Sequence, residues 1–279
     1  MFANMLRADA YRFLRSRFAR TIGVVFCLMI SLFCLFNFAD HSSTSFAFGG
    51  SIGVAREGVE LIDGFVGFAY TDPGHPLFWE LVYSATCFTA ATMFAIPITG
   101  MMITTADDQN GITKIAVAQG QSQTRLYLSK ALLAVLVTGL LWVLHNAITL
   151  GLVLVREDAS LGADGLRRWA WMCLLLFLPQ VVLMLLISLV AMVTRSRVAS
   201  LVVLVVLVMV CPILAAVVRA HPSRIVDSLL GLNPVWHLNR VSRAWAQTQI
   251  VGHTWLLFAM GCAVLMAASL AWLRRRELS

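Results

Sequence analysis

The chain is built from long apolar blocks separated by segments that carry nearly all of its charge. Six blocks stand out, at about Thr21–Ala39, Leu81–Thr105, Ala131–Val155, Trp169–Val193, Val198–Val218 and Thr254–Leu273. A block of about 20 apolar residues, at a rise of about 1.5 Å each, matches a hydrocarbon core of about 30 Å. In the fifth block, Leu201 to Val210 is almost wholly Val and Leu. In water such a run would read as a strand. In lipid every backbone polar group needs an internal partner, which a helix supplies. The stretch before the first block is long and basic, and the exit Asn37-Phe38-Ala39 lacks a small-x-small cleavage pattern, so that block reads as an uncleaved span. The pattern predicts an all-α integral membrane protein with six transmembrane helices and a single transmembrane domain over 1–279.

Composition agrees with that pattern. The chain is 59% hydrophobic and only 13% charged, against roughly a quarter charged in soluble domains. The formal charge of +7 raises the question of nucleic acid, but its distribution has a simpler reading. With the N-terminus placed inside, thirteen of the 21 basic residues fall on inner segments with four of the 14 acidic ones, a balance of +9. The outer segments hold eight basic and ten acidic residues, a balance of −2. Basic residues favour the cytoplasmic side, so both termini are expected there, and nucleic acid is not needed. All six cysteines sit within apolar blocks without CxxC spacing, which argues for small buried thiols and against zinc or a disulfide framework.

The connecting segments differ in character. Residues 1–20 form a basic amphipathic stretch, with Leu6, Ala10, Phe13 and Leu14 at helical spacings beside Arg17 and Arg20. Such a helix lies in the interface with its arginines toward lipid phosphates. The outer segment 40–80 is rich in Gly and Ser and has room for a surface helix around Val54–Phe68. The outer segment 219–253 holds Trp236 to Trp245, which reads as an amphipathic interfacial helix because Trp favours the headgroup zone.

Several chemistries lack their signatures. The chain has no GxxxxGK[ST] loop, so ATP hydrolysis is not expected on it, and no HExxH or GxSxG motif. The six apolar cores contain no Asp, Glu, Lys or Arg. Ion-coupled carriers and intramembrane aspartyl proteases need such groups at membrane depth. The deep polar points are His145 and Asn146 in the third block, read either as candidates on a substrate path or as an interhelical hydrogen-bonding pair. Pro97, Pro179 and Pro212 interrupt blocks, as hinges or as tolerated kinks.

The inner segment 106–130 is the most informative. Gly111 and Gly120 bracket Ile112–Ala118, a run long enough for about two helical turns, with Ile112, Ile115 and Ala116 on one face. Ser122 or Thr124 can cap the helix that runs into the third block. A helix this short is marginal alone. It is either an amphipathic loop on headgroups or a helix received by a partner's groove.

An acidic residue (Asp107 or Asp108), Gly111, a short helix with Lys114, then Gly120, Ser122, Arg125 and Lys130 opening the next span: this order resembles the membrane permeases of type-2 ATP-binding-cassette exporters. The basic stretch Leu6 to Arg20 is similar to that family's interfacial elbow helix, and Leu232-Asn233-Pro234-Val235-Trp236 to its outer helical turn. Aspartate stands here where glutamate is more usual, and Gln123 where many members carry a basic residue. The resemblance implies a multi-pass permease of a prokaryotic plasma membrane that exports a drug-, peptide- or lipid-like solute. It implies a second permease half, a copy or a related chain, and separate cytoplasmic ATPase subunits that carry ATP and Mg, with no cofactor on this chain. Asp108, Gly111, Ile112, Lys114, Ile115, Ala116 and Arg125 would then form the ATPase-coupling site.

Two other classes compete. A non-transporting scaffold or sensor subunit would bind a partner through 40–80 and 219–253. A membrane-embedded enzyme would need a metal site from His75, Glu80, His221, Asp227 and His237, whose spacing fits no known pattern.

Overall fold

The computed structural model describes residues 2–39, 45–48, 51–54, 60–63, 66–69, 90–109, 111–157, 163–220, 224–239 and 248–278. Helices α1 (Phe2–Arg15) and α2 (Arg17–Ala39) come first, followed by four short strands. Then come α3 (Ala90–Gln109), α4 (Ile112–Ala118), α5 (Gln123–Glu157), α6 (Ala163–Thr194) and α7 (Arg197–Ala220). Two short helices, α8 (Arg224–Leu232) and α9 (Pro234–Asn239), precede α10 (Thr248–Leu278). Among the described residues, three stretches are long and apolar enough to cross a membrane: Gln123–Gly151, Trp169–Thr194 and Trp255–Arg275. Helices α2, α3 and α7 coincide with the remaining three apolar blocks, of which Leu81 to Thr89 lies outside the described residues.

Helix ends follow local chemistry. Between α1 and α2 the chain breaks at Ser16, whose hydroxyl accepts from the Ala19 N–H (3.0 Å) and donates to the Phe13 carbonyl (2.7 Å), an N-cap that starts a new helix. Between α6 and α7, Arg195 takes a left-handed φ of 54° and the Ser196 hydroxyl accepts from the Ala199 N–H (3.2 Å). Helix α5 starts eight residues before the block at Ala131, because nothing in Gln123–Lys130 breaks it.

Helix α6 is the hub, packed against α3, α7, α9 and α10. Gly100 of α3 permits its closest approach: a Cβ there would stand 2.2 Å from Met184 Cγ. Gln180 Nε2 donates to Thr92 Oγ1 across the same interface (2.8 Å), both residues fully buried. Outward, Leu132, Leu136, Leu140 and Val143 form an exposed apolar stripe on α5, and Val198, Val202, Val205 and Met209 another on α7. Large exposed apolar stripes suit lipid or a second apolar surface, not water.

One expectation is corrected. The segment expected to hold a surface helix at Val54–Phe68 instead holds strands β1 (Ser45–Phe48), β2 (Ser51–Val54), β3 (Glu60–Asp63) and β4 (Val66–Ala69). β1 pairs antiparallel with β4 and β2 with β3 in one common register, Ser45 opposite Ala69 and Ser51 opposite Asp63. Large and small residues alternate with period two in β1, β2 and β4, and Gly53, Gly64 and Gly67 each disfavour helix by about 1 kcal/mol. Of the interfacial helix expected over Trp236–Trp245, residues 236–239 fall in α9, which follows α8 at Asn233. The Asn233 Oδ1 accepts from the Val235 N–H (2.9 Å) and Pro234 opens the second helix, a favoured first position. Residues 240–247 lie outside the described residues.

Candidate functional site

The segments that carry the basic excess meet at one end of the bundle. Tyr127 and Ala131 of α5, Met192 of α6 and Leu273 of α10 form a buried cluster there, and Arg197 Nε donates to Thr105 Oγ1 (3.1 Å). Helix α1 lies across the same end, with Leu6, Ala10 and Phe13 packed on the core and Leu14 exposed.

At this end α4 is a defined element. Gly111 precedes it with φ +71° and Gly120 follows it with φ +83°, left-handed values that cost other residues about 1–2 kcal/mol. Gly120 N–H donates to the Val117 carbonyl (2.9 Å) and Gln121 N–H to the Ala116 carbonyl (3.0 Å), the paired bonds of a Schellman close. The Ser122 carbonyl then accepts from Leu126 N–H (3.1 Å), which places Ser122 at the N-cap of α5. Ile115 is 60% exposed and Ile112 36%, with Lys114 also exposed and Ala116 half-buried. Covering both isoleucines with a partner would stabilise a complex by about 1–3 kcal/mol. Thr113 and Lys114 rest over a cavity of about 70 Å³ bounded by Tyr127, Lys130 and Met192.

Behind α4 lies an ionic network. Lys130 Nζ stands 2.5 Å from Asp107 Oδ2, with both side chains largely covered. Arg12 reaches the same Asp107 oxygen at 3.6 Å and Asp9 at 3.2 Å. Ser129 Oγ donates to the other Asp9 oxygen (2.8 Å). The network ties α1 to α3 and α5, the two helices that flank α4. Among the expected coupling residues, Gly111, Ile112, Lys114, Ile115 and Ala116 come together on α4, and Arg125 is exposed in the first turn of α5. Of the two acids expected there, Asp107 joins the network, beside Asp9; the side chain of Asp108 lies outside the described residues. Asp9, Arg12 and Ser129 were not singled out from sequence. Asp9 and Arg12 share a helix face, but their partners lie more than ninety positions away.

His145 and Asn146 are both buried within the chain. The imidazole of His145 stacks on Trp142 (centroids 5.7 Å apart) and tilts against Phe26 of α2. Trp142 Nε1 donates to the Cys173 carbonyl (2.8 Å), and Cys173 Sγ donates to Asn146 Oδ1 (3.0 Å). These contacts join α5 to α2 and α6. Of the outer residues considered for a metal, His75, Glu80 and His221 lie outside the described residues, as do the side chains of Asp227 and His237.

No protein-family model matches the chain, and no curated protein is significantly similar to it.

Proposed function

We propose that this chain is the membrane-spanning permease subunit of an exporter of hydrophobic or amphipathic solutes, driven by a separate cytoplasmic ATPase. In this reading it crosses the plasma membrane six times, with the basic end of the bundle and both termini inside. Three helices long and apolar enough to span, three more helices on the remaining apolar blocks, and the gathering of the basic segments at one end all support the topology.

The observation that carries the coupling is α4. A seven-residue helix set off by two left-handed glycines, with two isoleucines turned outward, has the form of an element received by a groove. The apolar cores hold no Asp, Glu, Lys or Arg with which to use an ion gradient, and their one histidine, His145, is packed against Trp142 and Phe26, so energy enters through a partner. Closure of the ATPase on ATP and Mg pushes α4. The Lys130–Asp107–Arg12 network carries that push to α3, α5 and α1 together. The helices then rock against a second permease half and open a path between them. We assign His145 and Asn146, enclosed by their own chain, to helix packing, which leaves the path apolar. The double change Ile112→Asp with Ile115→Asp is expected to abolish solute-stimulated ATP turnover and export while the protein still inserts. Export at the unmodified rate would overturn the assignment.

A further inference from the structure

A second cavity, of about 170 Å³, opens where α1 crosses the ends of α3 and α5. Its lining mixes the polar side chains of Asp9, Arg12, Ser16, Asp107 and Lys130 with the apolar ones of Phe13, Phe18, Met102, Ile103 and Leu133. Along α3 and α5 the charged residues lie one turn from the apolar ones, Asp107 from Ile103 and Lys130 from Leu133. At about 30 Å³ per water, the space holds five or six waters, or a phosphate group with the first methylenes of its chains. Among the charged side chains, Asp9, Asp107 and Lys130 are 8–16% exposed and already engaged with one another or with Ser129. Arg12 is 53% exposed, and its two contacts use NH1 and NH2 once each. A guanidinium has five donors in a fixed fork, so donors remain for an incoming oxyanion. On α1 the apolar lining begins at Phe13, next to Arg12, and it continues with Phe18 of α2 and onto α3 and α5.

We propose that this cavity is a binding site for an anionic phospholipid of the inner leaflet, with its phosphate on Arg12 and the start of its acyl chains against Phe13, Phe18 and Met102. A wholly polar pocket would suit a free anion, and a wholly apolar one a hydrocarbon. A pocket lined by both charged and apolar side chains, at the end of the bundle that carries the basic segments, suits an amphiphile. The lipid would lie under α1 like a wedge, so its presence would set how closely that helix sits on the Asp107–Lys130 pair. The proposal rests on the membrane topology given above, and the experiment separates the two.

The full chain is reconstituted in phosphatidylcholine nanodiscs doped with phosphatidylglycerol that carries a photoactivatable group near the glycerol, and labelled peptides are mapped. Labelling is expected at Phe13, Phe18 or Met102, and also on the exposed helix surface Trp255–Trp272. Arg12→Gln is expected to lower cavity labelling about fivefold, the effect of losing one half-exposed charged contact, and to leave Trp255–Trp272 labelling unchanged. Met102→Trp, which fills the cavity and keeps Arg12, is expected to lower it as well. Millimolar inorganic phosphate is expected not to compete. Labelling of Trp255–Trp272 without the cavity, or cavity labelling indifferent to both changes, would overturn the site and leave the topology standing. Competition by inorganic phosphate would reassign the site to a free anion and overturn the lipid. No labelling of either region would overturn the topology and the proposal with it.

Discussion

Replacing Asp107 by asparagine keeps the shape of the side chain and removes its charge. Lys130 Nζ lies 2.5 Å from Asp107 Oδ2, with the two side chains 8% and 16% exposed. Two unit charges that close attract by about 6–7 kcal/mol at an effective dielectric constant of about 20, before desolvation is subtracted. Breaking a buried pair typically costs about 3–5 kcal/mol, because the remaining ion stays buried without its counter-charge. Asparagine still offers a carbonyl to the ammonium, and water reaches the edge of Asp107, so Asp107→Asn should cost about 2–4 kcal/mol. Arg12 makes a longer contact to the same oxygen, 3.6 Å, and is half-exposed. Arg12→Gln should therefore cost about 1 kcal/mol or less. The apolar pair Asp107→Leu with Lys130→Met should recover most of the loss, since it removes both charges together. The assay is equilibrium unfolding in mixed micelles, followed by tryptophan fluorescence. If Asp107→Asn proves no more costly than Arg12→Gln, or if the double change is as unstable as the single one, the network is not the joint described here.

Three further expectations concern packing and the coupling helix. Gly100→Ala, whose Cβ would stand 2.2 Å from Met184 Cγ, should cost about 1–3 kcal/mol by overpacking; in a Met184→Ala background the same change should cost almost nothing, read by the same unfolding assay. Gly120→Val forces a β-branched residue to φ +83°, so it should lower ATPase coupling severalfold while unfolding in the spans shifts by about 2 kcal/mol at most. Trp142→Phe removes the 2.8 Å bond to the Cys173 carbonyl and should cost about 0.6–2 kcal/mol, with no change in transport once the remaining folded fraction is corrected for.

Much of the architecture is written in local pattern. The six blocks can be read because a bilayer demands a run of fixed length, and helices fall on every block. The α4 helix can be read to the residue, Ile112–Ala118, because the glycines that bound it act through their own backbone angles. The segments that meet at one end can be listed from the sequence, since Lys130, Arg195 and Arg274 stand within three residues of Tyr127, Met192 and Leu273, which cluster there. What stays hidden depends on contacts distant in sequence. Nothing local announces the pairing of Asp107; it is made by Lys130 and Arg12 arriving from other helices. The paired strands at 45–69 were within reach, since Phe46, Phe48, Ile52 and Val54 alternate with small residues. A surface-helix reading overlooks the period of two and the glycines.

The central claim is that a nucleotide-driven partner grips α4, and a photo-crosslinking amino acid at position 115 tests it where it would act. The account predicts a single major adduct in intact cells, formed with a protein that binds ATP through a phosphate loop, and lost when Gly120 is replaced by valine. An adduct with lipid alone, or with a protein that has no nucleotide site, would contradict it.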